Sequence, residues 1–208
     1  MNDLDDVLEQ AFPTNRWRSF RTLIAVSGGP DSVALLRLMI ANADSETKPN
    51  LIVAHINHGT RAKQSDADAE FVKDLAKQHH LEFCLDSISP KPTAEQSQVT
   101  RSEEVLRNAR YERLVAMAGQ LGCRYLVTGH HQDDQIETVL FRIFRGTGIA
   151  GLQGIPKRRV VSEALTIVRP LLNIRSSVLK DYLRSIGQTF RTDPVSYTHL
   201  TLPTILLV

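Results

Sequence analysis

The chain has 208 residues, 42 % hydrophobic and 23 % charged, with 11 Gly and 9 Pro, a composition that suits one domain around one buried core. No apolar run approaches the roughly 18 residues of a membrane span. The N-terminal MNDLDDVLEQ is acidic where an export signal is basic, so a cytoplasmic protein with no membrane partner is expected. Two cysteines, Cys84 and Cys123, without Cys-x-x-Cys spacing exclude a disulfide framework and a cysteine-held metal, and a net charge of +2 is too small to identify a nucleic-acid partner.

In chain order, LIAV at 23–26 reads as a first buried strand and DSVALLRLMIA at 31–41 as a helix. LIVAH at 51–55 is a second strand, followed by a helix over 65–79; EFCLD at 82–86 is a third. SISPKPTAEQSQ at 87–98 has loop composition, and a capping box of Thr100 and Glu103 opens a helix over 101–121. RYLVTG at 124–129 is a fourth strand, before a helix over 133–145 for which Asp133 is the expected N-cap. Strands alternating with helices predict an α/β fold, a Rossmann-like parallel sheet with helices on both faces and ligands at the carboxyl ends of its strands. GIPKRRVV at 154–161 reads as a solvated basic loop. From Val195 the text VSYTHLTLPTILLV loses charge and periodicity and resembles a translated sequencing adapter, so 195–208 is expected to be a non-native tail and 1–194 the natural domain.

Between the first strand and its helix stands Ser27-Gly28-Gly29-Pro30-Asp31-Ser32. Two glycines admit an anion close to the backbone, the helix end offers unpaired N–H groups and a positive dipole, and Ser27 and Ser32 add hydroxyl donors. Pro30 suits the first helical turn, where its missing N–H costs nothing, while Asp31 either complements the dipole or binds a magnesium ion. A phosphate group fits this turn. There is no Gly-Lys-Ser/Thr, so the Walker loop is absent. Gly146-Thr147-Gly148-Ile149-Ala150-Gly151 matches G-x-G-x-x-G but follows a helix and reads as chance spacing.

Ser-Gly-Gly-x-Asp-Ser at the end of a strand resembles the pyrophosphate (PP) loop of the N-type ATP pyrophosphatases. HINHGTR at 55–61, GHHQDDQIET at 129–138, Arg145-Gly146-Thr147-Gly148 with Gly151-Leu152, and Arg169-Pro170-Leu171-Leu172 together resemble the tRNA(Ile)-lysidine synthetases over about residues 20–194. Phe190-Arg191-Thr192-Asp193-Pro194 is similar to the start of a further family segment, broken off at Val195. The resemblance implies a PP-loop catalytic domain of the adenine nucleotide alpha-hydrolase-like fold, with ATP and Mg2+ as cofactors. It implies adenylation of C2 of the wobble cytidine of a CAU-anticodon isoleucine tRNA, then displacement of AMP by the amine of free L-lysine. It also implies that the family's C-terminal tRNA-binding domains are absent from this chain; a homodimer is left open. The alternatives are a cytidine-thiolating relative, which would need cysteine pairs, and a noncatalytic ATP-binding fragment.

At 100° per residue, Asp134, Glu137 and Phe141 share one helical rim beside an apolar stripe of Ile136, Val139, Leu140, Ile143 and Phe144. With the resemblance, Asp134 and Glu137 are assigned to holding lysine and His130 to positioning nucleotide or amine, with proton transfer a lesser role. Arg110 is placed near the lysine carboxylate or the activated base. Arg101 and Arg113 read as surface partners of Glu104 and Glu112. Ser27, Gly28, Gly29, Pro30, Asp31 and Ser32 are assigned to the triphosphate, His55, Asn57 and Gly129 to the nucleotide, and Asp31 to the magnesium ion. His58 divides between that role and a loop histidine, and Lys157, Arg158 and Arg159 between tRNA phosphates and solvent.

Overall fold

The computed structural model describes residues 3–57, 62–88, 103–146, 148 and 152–192. The expectations for His58 to Arg61, the 87–98 loop beyond Ile88, the Thr100 capping box, Arg101, the remainder of the Gly146–Gly151 segment, Asp193, Pro194 and the 195–208 tail lie outside those residues.

Two short helices, α1 (Asp3–Ala11) and α2 (Thr14–Trp17), precede the alternating core. The core runs β1 (Thr22–Ala25), α3 (Pro30–Ala41), β2 (Leu51–Asn57), α4 (Ala62–Gln78), β3 (Glu82–Ser87), α5 (Glu103–Gln120), β4 (Tyr125–Thr128) and α6 (Gln132–Phe144). These match the strands and helices read from periodicity to within a few residues. The chain continues through β5 (Arg158–Val160), β6 (Thr166–Val168) and α7 (Ser176–Ser185).

The six strands lie in the order β3-β2-β1-β4-β6-β5, parallel throughout except for β5, which pairs antiparallel with β6. The chain steps outward from β1 to β3 and then crosses back to β4 on the other side, making the gap beyond β1 and β4 the topological switch point. Register Thr22 with Tyr125 through Ala25 with Thr128 brings the loops after both strands to the same edge.

The inner strands are buried on both faces because helices cover both. Ile24, Val53 and Val127 pack with Leu8, Val33, Leu36, Val72 and Leu183 of α1, α3, α4 and α7. Leu23, Ile52 and Leu126 point the other way, onto Leu114, Met117 and Ala118 of α5. Alternate residues of one strand therefore feed two cores, and each fully buried Leu or Val contributes about 1.5–3 kcal/mol. Trp17 is fully buried, stacks on Phe12 and donates its indole N–H to the Phe12 carbonyl at 3.2 Å.

The structure corrects three readings. Residues 158–160 of the basic segment form an edge strand whose side chains remain exposed, so the solvated character is right and the loop is not. Helix α6 begins one residue before Asp133 and is capped by His131, not by Asp133. Its apolar stripe is not core: Ile136, Leu140, Ile143 and Phe144 are exposed, and so is Phe141. The helix is held instead by polar contacts with the following loop, where Gln135 bonds Ile155 through both its amide atoms and Arg142 donates to the Gly154 carbonyl. Arg113 pairs with Asp86 of β3 at 3.6 Å rather than with Glu112.

Candidate nucleotide-binding active site

The turn after β1 gives α3 a glycine N-cap. Gly29 occupies that position with no side chain bonded across it, and Pro30 fills the first helical turn, so the first N–H groups of α3 stay available to an anion. Gly28 has φ +94, a conformation glycine adopts without strain. Ser32 Oγ accepts from the Ser27 N–H at 3.1 Å and donates to the Gly29 carbonyl at 3.0 Å, bracing the loop. Gly129, after β4, matters for space: a Cβ there would lie 3.0 Å from the Asp31 carbonyl oxygen and 3.1 Å from Ser32 Cα. The loops after β1 and β4 thus touch backbone to backbone.

Between them opens a cavity of about 330 Å³, bordered by Ser27, Asp31, Ser32, His55, Arg110 and Asp134 among others. Gly29, Gly129, His130 and His131 also line it. Gly28, Pro30, Asn57 and Glu137 do not form its wall. Gly28 instead receives the chain after α7, its carbonyl accepting from the Arg191 N–H at 2.9 Å. Asn57 donates to Asp66 Oδ1 at 3.1 Å, and Glu137 sits one turn out on α6, exposed.

The two sides of the cavity differ in charge. On one side Asp31, Asp133 and Asp134 gather at the N-termini of α3 and α6, where the dipoles favour carboxylates. Ser176, in the first turn of α7, donates its hydroxyl to Asp31 Oδ1 at 2.7 Å and its N–H to Asp133 Oδ2 at 2.9 Å. Asp133 is therefore the cap of α7, supplied from α6. His131 Nε2 lies 3.5 Å from Asp31 and 3.6 Å from Asp134, and the His131 backbone N–H donates to Asp134 Oδ2 at 2.9 Å. Burial pushes the Asp31 carboxyl up, but the bonds from His131 and Ser176 outweigh it and hold its pKa below the usual value. Asp134 goes the other way, raised chiefly by burial. His131 is lowered by burial, yet the bond to Asp31 and the charges of Asp134, Asp31 and Asp133 win and raise it.

The surroundings of His130 are basic. Burial first, then the charges of Arg169, Arg107 and Arg110, push His130 down to about 3. Its ring is neutral across the physiological range and only weakly basic there, which favours positioning over proton transfer. His55, 4 % exposed at the end of β2, has its Nδ1 2.8 Å from the Val26 carbonyl, and burial lowers its pKa, so its Nδ1–H donates and the ring stays neutral.

Sequence reasoning missed His131, Tyr111, Thr128 and Ser176. His131 was hidden by placing the cap of α6 two residues too late. Tyr111 and Ser176 carry no local signature, because their partners lie 19 or more residues away, and Thr128 is a strand residue whose bond to His130 two positions on has no distinctive sequence signal.

A glycine-capped phosphate loop, a neighbouring carboxylate cluster and a cavity at the switch point of a parallel sheet define a nucleotide-binding α/β protein of the phosphate-loop class. The model of the PP-loop domain matches residues 4–200, and the chain belongs to that ATP-binding family. Its curated relatives include the tRNA(Ile)-lysidine synthases of Rhodopirellula baltica, 37% identical over 89% of this chain and 51% of the relative, and of Symbiobacterium thermophilum, 39% identical over 83% and 35%. The chain thus spans about half or less of the length of these relatives. Among solved structures it is similar in fold to the U34-tRNA thiolase NcsA of Methanococcus maripaludis, which carries a [4Fe-4S] cluster, with TM-score 0.73, 17% identity and coverage of 93% and 66%. NMN synthetase of Francisella tularensis matches with TM-score 0.57, 16% identity and coverage of 89% and 68%. No helix among the described residues is long and apolar enough to cross a membrane.

Proposed function

We propose that this chain is the ATP-using catalytic domain of a tRNA(Ile)-lysidine synthase. Its reaction joins lysine to C2 of the wobble cytidine of tRNA(Ile) through an adenylated intermediate. The observation that carries this reading is the convergence on one 330 Å³ cavity of the phosphate loop, an ionised Asp31, the partly buried Asp134 and Arg110. The similarity to named synthases supplies the substrate class.

In this reading the N–H groups at the start of α3 and the hydroxyls of Ser27 and Ser32 hold the triphosphate tail. His55, a neutral ring beneath the cavity, and Gly129 border the nucleoside. Asp134 attracts the lysine ammonium groups, its carboxylate held in place by the His131 N–H. Arg110 meets the lysine carboxylate or the activated base. Glu137 contributes from the rim at longer range.

A magnesium ion accompanying ATP fits this donor set as a phosphate-bound ion. One ionised carboxylate, Asp31, faces the phosphate loop, and the described residues bring no group of three or more metal-binding side chains together. Such an ion takes one or two protein carboxylates and keeps water and phosphate oxygens for the remainder. It would neutralise charge on the departing pyrophosphate.

Product analysis tests the reading. Formation of AMP and pyrophosphate that requires both tRNA(Ile) and lysine supports it; ADP as product, or turnover indifferent to lysine, overturns it.

A further inference from the structure

Arg169, directly after β6, is 5 % exposed, and among the described residues no ion pair compensates its charge. Nη1 donates to the Pro156 carbonyl at 2.9 Å, Nη2 to the Tyr111 hydroxyl oxygen at 3.3 Å, and Nε has no partner. A guanidinium held this way is expensive to bury, so what it orders is informative.

Arginine only donates. The Tyr111 oxygen therefore accepts from Arg169, and the Tyr111 proton is left for His130 Nε2, 3.3 Å away. Arg107 Nη2 lies 3.5 Å from the same nitrogen and again has nothing to offer but a proton. Both neighbours make Nε2 an acceptor. The ring proton then sits on Nδ1, which donates to Thr128 Oγ1 at 2.9 Å. Having accepted that bond, the Thr128 hydroxyl must direct its own proton elsewhere, and Thr128 borders the cavity.

We propose that Arg169 is a positioning residue that acts through Tyr111. It locks His130 in the neutral Nδ1–H tautomer, and that tautomer turns the Thr128 hydroxyl proton toward an acceptor atom, a ring nitrogen or oxygen, of the bound nucleotide substrate. The charged groups that act most on His130 favour the neutral ring: Arg169 after β6, Arg107 and Arg110 of α5, and the adjacent His131. Tyr111 stacks on the ring at a centroid distance of 6.2 Å, and the Arg169 guanidinium lies 5.8 Å from the Tyr111 ring centre. The bearing on substrate rests on the ligase reading above; the tautomer does not.

The experiment is nitrogen NMR of the 208-residue protein labelled at histidine, with the His130 signals assigned by their loss in His130→Gln. The native ring should show a protonated Nδ1 and a bare Nε2, unchanged between about pH 5 and 8. Tyr111→Phe, which keeps the ring stacking, should mix the tautomers and lower kcat for lysine-dependent AMP release roughly tenfold, with the ATP KM within about threefold. Arg169→Lys should retain the neutral ring but not the single tautomer. A native Nε2–H tautomer, a native His130 that titrates in that range, or a Tyr111→Phe protein with unchanged tautomer or kcat overturns the proposal. If Arg169→Lys fails to fold, Tyr111→Phe carries the test. A native protein that makes no AMP sinks the ligase reading instead, and the tautomer then decides the positioning role by itself.

Discussion

His130 and His131 are adjacent in sequence, both line one cavity and burial disfavours charge on both, yet their charged neighbours differ in sign and so does their behaviour. His130 is driven down to about 3 among Arg107, Arg110 and Arg169, whereas His131 is raised among Asp31, Asp133 and Asp134. Desolvation acts in the same direction on each, so neighbouring charge decides the outcome. One wall is permanently basic and bonded through a neutral ring. The other is acidic and held at three helix N-termini by a ring that gains a proton readily. An amine and an activated nucleotide can be presented to each other across such a division, and the variants that follow act on one wall at a time.

The largest effect is expected from Asp31→Ala, which takes the ionised carboxylate from the acidic wall beside the phosphate loop. Pyrophosphate release should fall at least about a hundredfold, with the far-ultraviolet circular dichroism unchanged. Retention of native turnover would show that the acidic wall does not serve ATP. Asp134→Asn should raise the KM for lysine about tenfold while moving that for ATP less than about twofold, read from initial rates with each substrate varied. An effect on ATP alone would reassign the acidic wall from amine to phosphate.

His131→Gln sharpens the electrostatic contrast. Because the folded pKa of His131 is raised, its contribution to stability is complete below its ordinary value of about 6.5 and is lost as pH rises through the raised value. Thermal unfolding should therefore show a decline in native stability as the pH rises above about 6.5 that the variant lacks. Identical pH profiles would mean that the ring is not charged among its carboxylates. Glu137→Gln should have the smallest effect, below about threefold in lysine KM, since the side chain is exposed and off the cavity wall.

Much of this architecture was legible before any coordinates. The runs at 23–26, 51–55, 82–86 and 124–129 were readable as strands because a parallel sheet covered on both faces demands short continuous apolar segments. The phosphate loop was readable because glycines, a proline and two serines between strand and helix have a local reason to be there. Asp134 borders the cavity, while Glu137, three residues on along α6, is exposed outside its wall, a distinction the shared rim does not make. The stripe on α6 was legible as a stripe, but a 3.6-residue period says which residues share a face, not whether anything packs on it, and Ile136, Leu140, Ile143 and Phe144 are exposed.

By itself, the sequence determined the strand and helix alternation, the anion-binding turn and the residue types available for chemistry, since each depends on neighbours within one or two turns of chain. The tertiary structure alone decided which wall each side chain joined. Sheet order brought the loops after β1 and β4 together, backbone contact at Gly129 set their spacing, and charges contributed from α3, α5, α6 and the end of β6 made two consecutive histidines electrostatic opposites. Coulomb interactions follow distance through space, which the order of residues along a chain does not encode.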